Sequence, residues 1–141
     1  MNTKKFLIAW IVTSLATFLL NGVFHGLAAA GFFDQNLAGL GDVVLKMEDF
    51  NPVPVILLEF ILVFVLTWIL FKMNRAPITS GDAVLTGALF EMSTSVTWSL
   101  ANTATFVSWP IALTVVDTAW HTVVGAIAGW LIYRFGGFKK S

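Results

Sequence analysis

The chain has 141 residues, of which 57% are hydrophobic and 11% charged, with a formal net charge of zero and no cysteine. A soluble domain carries about 25% charged residues to cover its surface, so this composition specifies one integral membrane domain, residues 1–141. Zero net charge gives no field for nucleic acid, and the missing cysteines exclude disulfides, thiolate metal sites and thiol nucleophiles.

A helix crosses the hydrocarbon core with roughly 20 apolar residues, and four segments meet that length: about 6–30, 54–71, 83–106 and 110–133. The expected fold is therefore all-α, a four-helix transmembrane bundle. The first segment, "MNTKKFLIAWIVTSLATFLLNGVFHGLAAAG", also resembles a secretory signal with Ala28-Ala29-Ala30 as a cleavage site. Its length favours a retained span. Between the first and second spans, Leu37, Leu40, Val44, Met47 and Phe50 recur at helical spacing, away from Asp42, Glu48 and Asp49. That spacing suits either a short interfacial helix or an irregular loop with apolar anchors.

"NRAPITSGD" reads as a plain turn, in which Ser80 or Asp82 caps the third span. The third and fourth spans are nearly continuous, and Pro110 divides them into a tight hairpin. Lysine and arginine set the orientation. Lys4, Lys5, Lys72, Arg75, Arg134, Lys139 and Lys140 fall on one side and only Lys46 on the other. Both termini are thus expected in the cytoplasm.

Each span carries polar or small residues every three or four positions, which places them on one helix face. The stripes are Ser14, Thr17, Asn21 and His25; Glu59 and Thr67; Gly87, Glu91, Thr94 or Ser95, Trp98 and Asn102; and Thr114, Asp117, His121, Gly125 and Gly129. These faces should turn inward, away from lipid. Gly125 and Gly129 form a small-xxx-small pair that suits close packing or, more weakly, association with a partner or a second copy.

At about 1.5 Å per residue, Glu91 lies ~13 Å from one edge and His121 ~17 Å from the other, which makes them level. Asp117 and Glu59 fall about 8–10 Å below the outer edge, with Asn21 near them and His25 and Asn102 close to the boundary. A carboxylate at mid-membrane costs about 2.5–3.5 kcal/mol or more, so three carboxylates facing two histidines need partners, protons or a cation. The candidate ligand- or cation-binding residues are Asp117, His121, Glu91, Glu59, Asn21, His25, Trp98 and Asn102. His121, Asp117 and Glu91 could share a metal. A hydrogen-bonded pair that only fixes helix packing accounts for Asp117 and His121 equally well. The estimated heights of the two histidines differ too much for them to be axial ligands of one haem, and no other cofactor is indicated.

The second half, "LTGALFEMSTSVTWSLANTATFVSWPIALTVVDTAWHTVVG", resembles a small four-span family of predicted bacterial membrane proteins of unknown function. Asn102, Ala104, Thr105, Trp109, Pro110, Val115, Val116, Asp117 and Trp120 match its T-N-x-A-T…W-P…V-V-D-x-x-W signature. Ser99 and Asn21 stand where that family usually has aspartates, and His121 where it has a small residue. The resemblance implies four spans and a bacterial inner membrane, and it implies no activity. Three roles follow from the residues: binding or moving a small lipid-soluble or cationic ligand; an accessory subunit of a larger membrane complex; or a small enzyme acting on a lipid, with His121 as base.

Overall fold

The computed structural model describes residues 2–43, 49, 51–73 and 78–138. The described residues are almost wholly helical. Helix α1 (Thr3–Val23) opens on Asn2, whose Oδ1 accepts the Lys5 N–H at 3.1 Å. It continues into one π-helical turn, Phe24–Ala28, in which the Ala29 N–H reaches the Phe24 carbonyl at 2.8 Å. The chain bends at Ala29 into α2 (Ala30–Leu37) and then a 3-10 segment, Ala38–Val43. Three long helices follow: α3 (Pro52–Met73), α4 (Ser80–Thr105) and α5 (Ile111–Gly136).

Two sequence expectations shift here. The helix that follows the first long helix occupies Ala30–Leu37, earlier than the 37–50 pattern implied. Once the bend at Ala29 is made, no proline interrupts the helix, and Gly31 falls in its first turn. Val44, Met47, Glu48 and Phe50 lie outside the described residues, as do Lys46, Arg75, Lys139 and Lys140. The cap of α4 is Thr79, neither Ser80 nor Asp82 alone. Thr79 Oγ1 accepts the Asp82 N–H at 3.1 Å, while Asp82 Oδ2 accepts the Thr79 N–H at 2.8 Å. This reciprocal box satisfies two donors that a helix start leaves open.

The stretches Thr3–Ala28, Pro52–Met73 and Ile111–Gly136 are long and apolar enough to cross a membrane. Helix α4 has 26 residues but is less apolar, because serine and threonine line it. It packs along α5 more extensively than any other pair in the bundle. The reason is a seam of glycines. Gly87 and Gly125 face each other so closely that a Cβ on either would collide with the other's carbonyl, and a Cβ on Gly129 would strike the Ala83 carbonyl. Small residues let two backbones approach in this way, which maximises dispersion contact where lipid supplies no hydrophobic drive. Gly125 and Gly129 are therefore used within the chain, packed against Gly87 and Ala83.

Long aliphatic residues such as Leu19, Ile61, Leu85 and Val115 point outward from the bundle. The core at the end that carries both termini is apolar: Leu66, Leu70, Ala83, Ala128 and Ile132 are fully buried. Phe6 and Phe138 each meet Phe71 edge-on, and Tyr133 stacks on Phe138. Helix α5 ends at Gly137, which has φ 63°, a left-handed conformation natural only to glycine, and the Lys5 ammonium lies over it. The start of α1 and the end of α5 consequently sit at one end.

Candidate functional site

The polar stripes of α1, α3, α4 and α5 meet toward the opposite end, where the α4–α5 hairpin turns. His25, in the π-helical turn, is at the centre. Its Nδ1 lies 3.0 Å from the Asn21 carbonyl oxygen, and its Nε2 lies 3.0 Å from Asp117 Oδ1. A carbonyl only accepts, so Nδ1 carries a hydrogen and donates it. In a neutral ring Nε2 then presents a lone pair to a carboxylate oxygen. Something electropositive must occupy that contact, either a proton or a cation.

Asp117 collects two further contacts. Its Oδ2 accepts the Ser95 hydroxyl at 3.2 Å, and that hydroxyl is also 3.3 Å from Thr118 Oγ1. His121 Nε2 stands 3.7 Å from Asp117 Oδ1, one helical turn along α5. On its other side, His121 Nδ1 is 3.4 Å from Glu91 Oε2, and Glu91 is buried. The two imidazole rings are 6.1 Å apart.

A second arm runs through Asn21. Trp120 Nε1–H donates to Asn21 Oδ1 at 2.8 Å, which fixes the amide so that Nδ2 donates to Glu59 Oε2 at 3.1 Å. Phe24 stacks on Trp120 with ring centroids 4.1 Å apart and planes 8° from parallel. The result is one connected chain: Glu59, Asn21, His25, Asp117, His121, Glu91. It holds three carboxylates and two imidazoles, and among the described residues no lysine or arginine pairs with it.

A cleft of about 180 Å³ opens beside this chain, lined by His25 and Asp117 together with Phe33, Trp98, Ser99 and Trp109. Helix α2 contributes Phe33, whose ring lies 4.8 Å from that of His25. A second groove, about 410 Å³, runs along Trp10, Phe60 and Phe64, and it is wholly apolar and faces outward.

Of the eight residues expected at the site, six join the connected chain: Asp117, His121, Glu91, Glu59, Asn21 and His25. Trp98 is 65% exposed and only flanks the cleft, while Ser99, one position on, is buried in its place. Asn102 is buried one turn beyond Ser99 and outside the connected chain. The metal-competent set also differs from expectation. His25, Asp117 and His121 offer donor atoms within 4.8 Å of one another, whereas Glu91 supports His121 from behind. Counting residues along upright helices placed His25 near the boundary. Antiparallel α1 and α5 in fact bring its ring level with Asp117, so the two histidines are close neighbours.

Three contributors carry weaker sequence signals. Ser95 was one of two equivalent choices on its helix face. Phe24 and Phe33 gave no polar signal at all, and their roles follow from the π-helical turn and the bend at Ala29.

The family model described as a predicted membrane protein, DUF2177, matches residues 6–134. The chain belongs to this family. The match reaches all four long helices and includes every residue of the connected chain. No curated protein and no solved structure matches the chain.

Proposed function

We propose that this DUF2177 member is a four-span membrane protein, with both termini on the cytoplasmic side of a bacterial inner membrane, that binds a small cationic ligand in the polar cluster around Asp117. One observation carries the reading. Three carboxylates and two imidazoles converge with no lysine or arginine among the described residues paired to them, and a cleft reaches Asp117 and His25. Even with both rings protonated, one negative charge is left over. An unbalanced charge inside the bilayer is costly, so the arrangement favours an added cation.

The four-span topology is supported by the packing of α4 along α5 and by the two termini sharing one end, as an even number of crossings requires. Lys4, Lys5, Lys72 and Arg134 at that end support the orientation. The use of Gly125 and Gly129 inside the chain removes the feature that most favoured an accessory subunit.

Native mass spectrometry of the protein released from its membrane tests the reading. The wild type is expected to carry a small bound cation that Asp117→Asn loses while its circular dichroism is unchanged. A wild-type chain that carries nothing, or a variant that carries as much, overturns it.

A further inference from the structure

Resting on the proposed cation site, we infer that its occupant is a divalent d-block metal ion held by His25 Nε2, His121 Nε2 and Asp117 Oδ1. The three donors come from α5 and from the π-helical turn that extends α1. They are separated by 3.0 Å (His25 to Asp117) and 3.7 Å (His121 to Asp117), and all three lie within 4.8 Å of one another. Zinc binds imidazole nitrogen and carboxylate oxygen at about 2.0–2.2 Å, so tetrahedral donors lie about 3.3 Å apart. The two spacings to Asp117 bracket that value.

The atoms behind the donors make the stronger case. A metal-binding histidine gives its other nitrogen to a carboxylate or a backbone carbonyl, which fixes the ring and raises its basicity. Here His25 Nδ1 donates to the Asn21 carbonyl at 3.0 Å, and His121 Nδ1 stands 3.4 Å from Glu91 Oε2. Asp117 Oδ2 accepts the Ser95 hydroxyl at 3.2 Å, leaving Oδ1 directed at the histidines. All three ligands are thus held from the rear while their free donors converge. The lone pair of His25 Nε2 facing a carboxylate oxygen is what a metal between them would satisfy.

Access agrees with this set. His25 and Asp117 also line the cleft, so the fourth coordination position opens into it. Three protein donors with an open fourth position make an exchangeable site, suited to a metal that takes a further small ligand. Two nitrogens and one oxygen favour zinc and its d-block neighbours over magnesium or calcium, which prefer all-oxygen shells.

The test is a calorimetric titration of the full-length, tag-free protein in detergent, stripped with chelator, with Zn²⁺ and separately with Mg²⁺. One Zn²⁺ per chain and no Mg²⁺ is expected. Glu91→Gln should weaken Zn²⁺ binding about 10–100-fold. His25→Gln and His121→Gln should weaken it at least as much. Absence of saturable Zn²⁺ binding, or affinity undiminished in both histidine variants, overturns the assignment. Should those variants fail to fold by circular dichroism, Glu91→Gln and Ser95→Ala decide it, since both keep every donor: unchanged affinity in the pair overturns it. Wild type that ignores Zn²⁺ yet carries another cation lost in Asp117→Asn defeats the metal and leaves the cation site standing. Wild type that carries no cation of any kind defeats both.

Discussion

At the end with both termini, helices meet through glycine backbones and a cluster of phenylalanines, and the buried side chains are leucine, isoleucine and alanine. At the hairpin end, α1 loosens into a π-helical turn, the chain bends at Ala29, and the interior is filled by carboxylates, imidazoles and an amide. The first end gains stability from close approach, which tolerates no added atom. The second is held by hydrogen bonds between groups that each need a partner, and π-helical turns concentrate at functional sites for that reason. One end is a clamp that keeps four helices in register. The other uses that register to hold reactive groups a few ångströms apart.

If that division is right, the clamp should fail first. Gly87→Leu drives a side chain into the Gly125 backbone and should cost about 3 kcal/mol or more, read as lost folded protein in a denaturing detergent titration. A fully stable Gly87→Leu protein would break the comparison. Asp117→Ala removes the partner of His25 and Ser95 and should cost less, about 1–3 kcal/mol, while leaving the helical circular dichroism intact.

Backbone amides give a finer test of the same division. Amides of Phe24–Ala28 should exchange with deuterium well before those of α4 around Gly87, because local opening follows the weaker packing. Equal protection in the two segments would erase the contrast. Thr13 sharpens it from inside the bundle. Its hydroxyl and that of Ser14 are buried with no hydrogen-bond partner among the described residues. Thr13→Val should be neutral or stabilising, by up to about 1 kcal/mol in the same titration, since it removes an unsatisfied group without changing shape. A large loss there would place Thr13 in a polar role.

The smallest effect belongs to the cap of α4. Hydrogen bonds from the Thr79 N–H and hydroxyl hold the Asp82 carboxyl below its ordinary range. Its contribution is present above that range and fades as pH falls through the lowered value. The thermal midpoint gap between wild type and Asp82→Asn should therefore be widest near neutral pH and close on acidification.

The helical, membrane character of the chain is legible in its sequence because it rests on composition, which any window of residues reports. Membership of a family of predicted membrane proteins was legible in the sequence too. The levels of Glu91 and His121 follow from counting residues, because α4 and α5 share one tight turn and one seam. His25 was misplaced for the complementary reason. Its height depends on how α1 sits against α5, and its aim depends on a π-helical turn that "FHGLA" does not announce. Trp98 drew notice as a large aromatic on a polar face, yet the buried neighbour is Ser99, since a small residue is what the close approach of α4 and α5 admits. The glycine pair announced close packing without naming its partner, because any small-residue stripe suits an intramolecular neighbour as well as a foreign one.

The seam between α4 and α5 also bears on how the protein enters its membrane. On the four-span arrangement, α4 is the crossing that hydropathy alone sponsors least, with serine, threonine and Glu91 along it. A nascent chain presents α4 first and α5 only a short turn later. Helix α4 can settle among lipids once Gly125 and Gly129 cover its polar face, so the two helices should partition into the bilayer as one hairpin. Replacing a seam glycine would then reduce not only the stability of the finished protein but the fraction of chains that insert α4 at all.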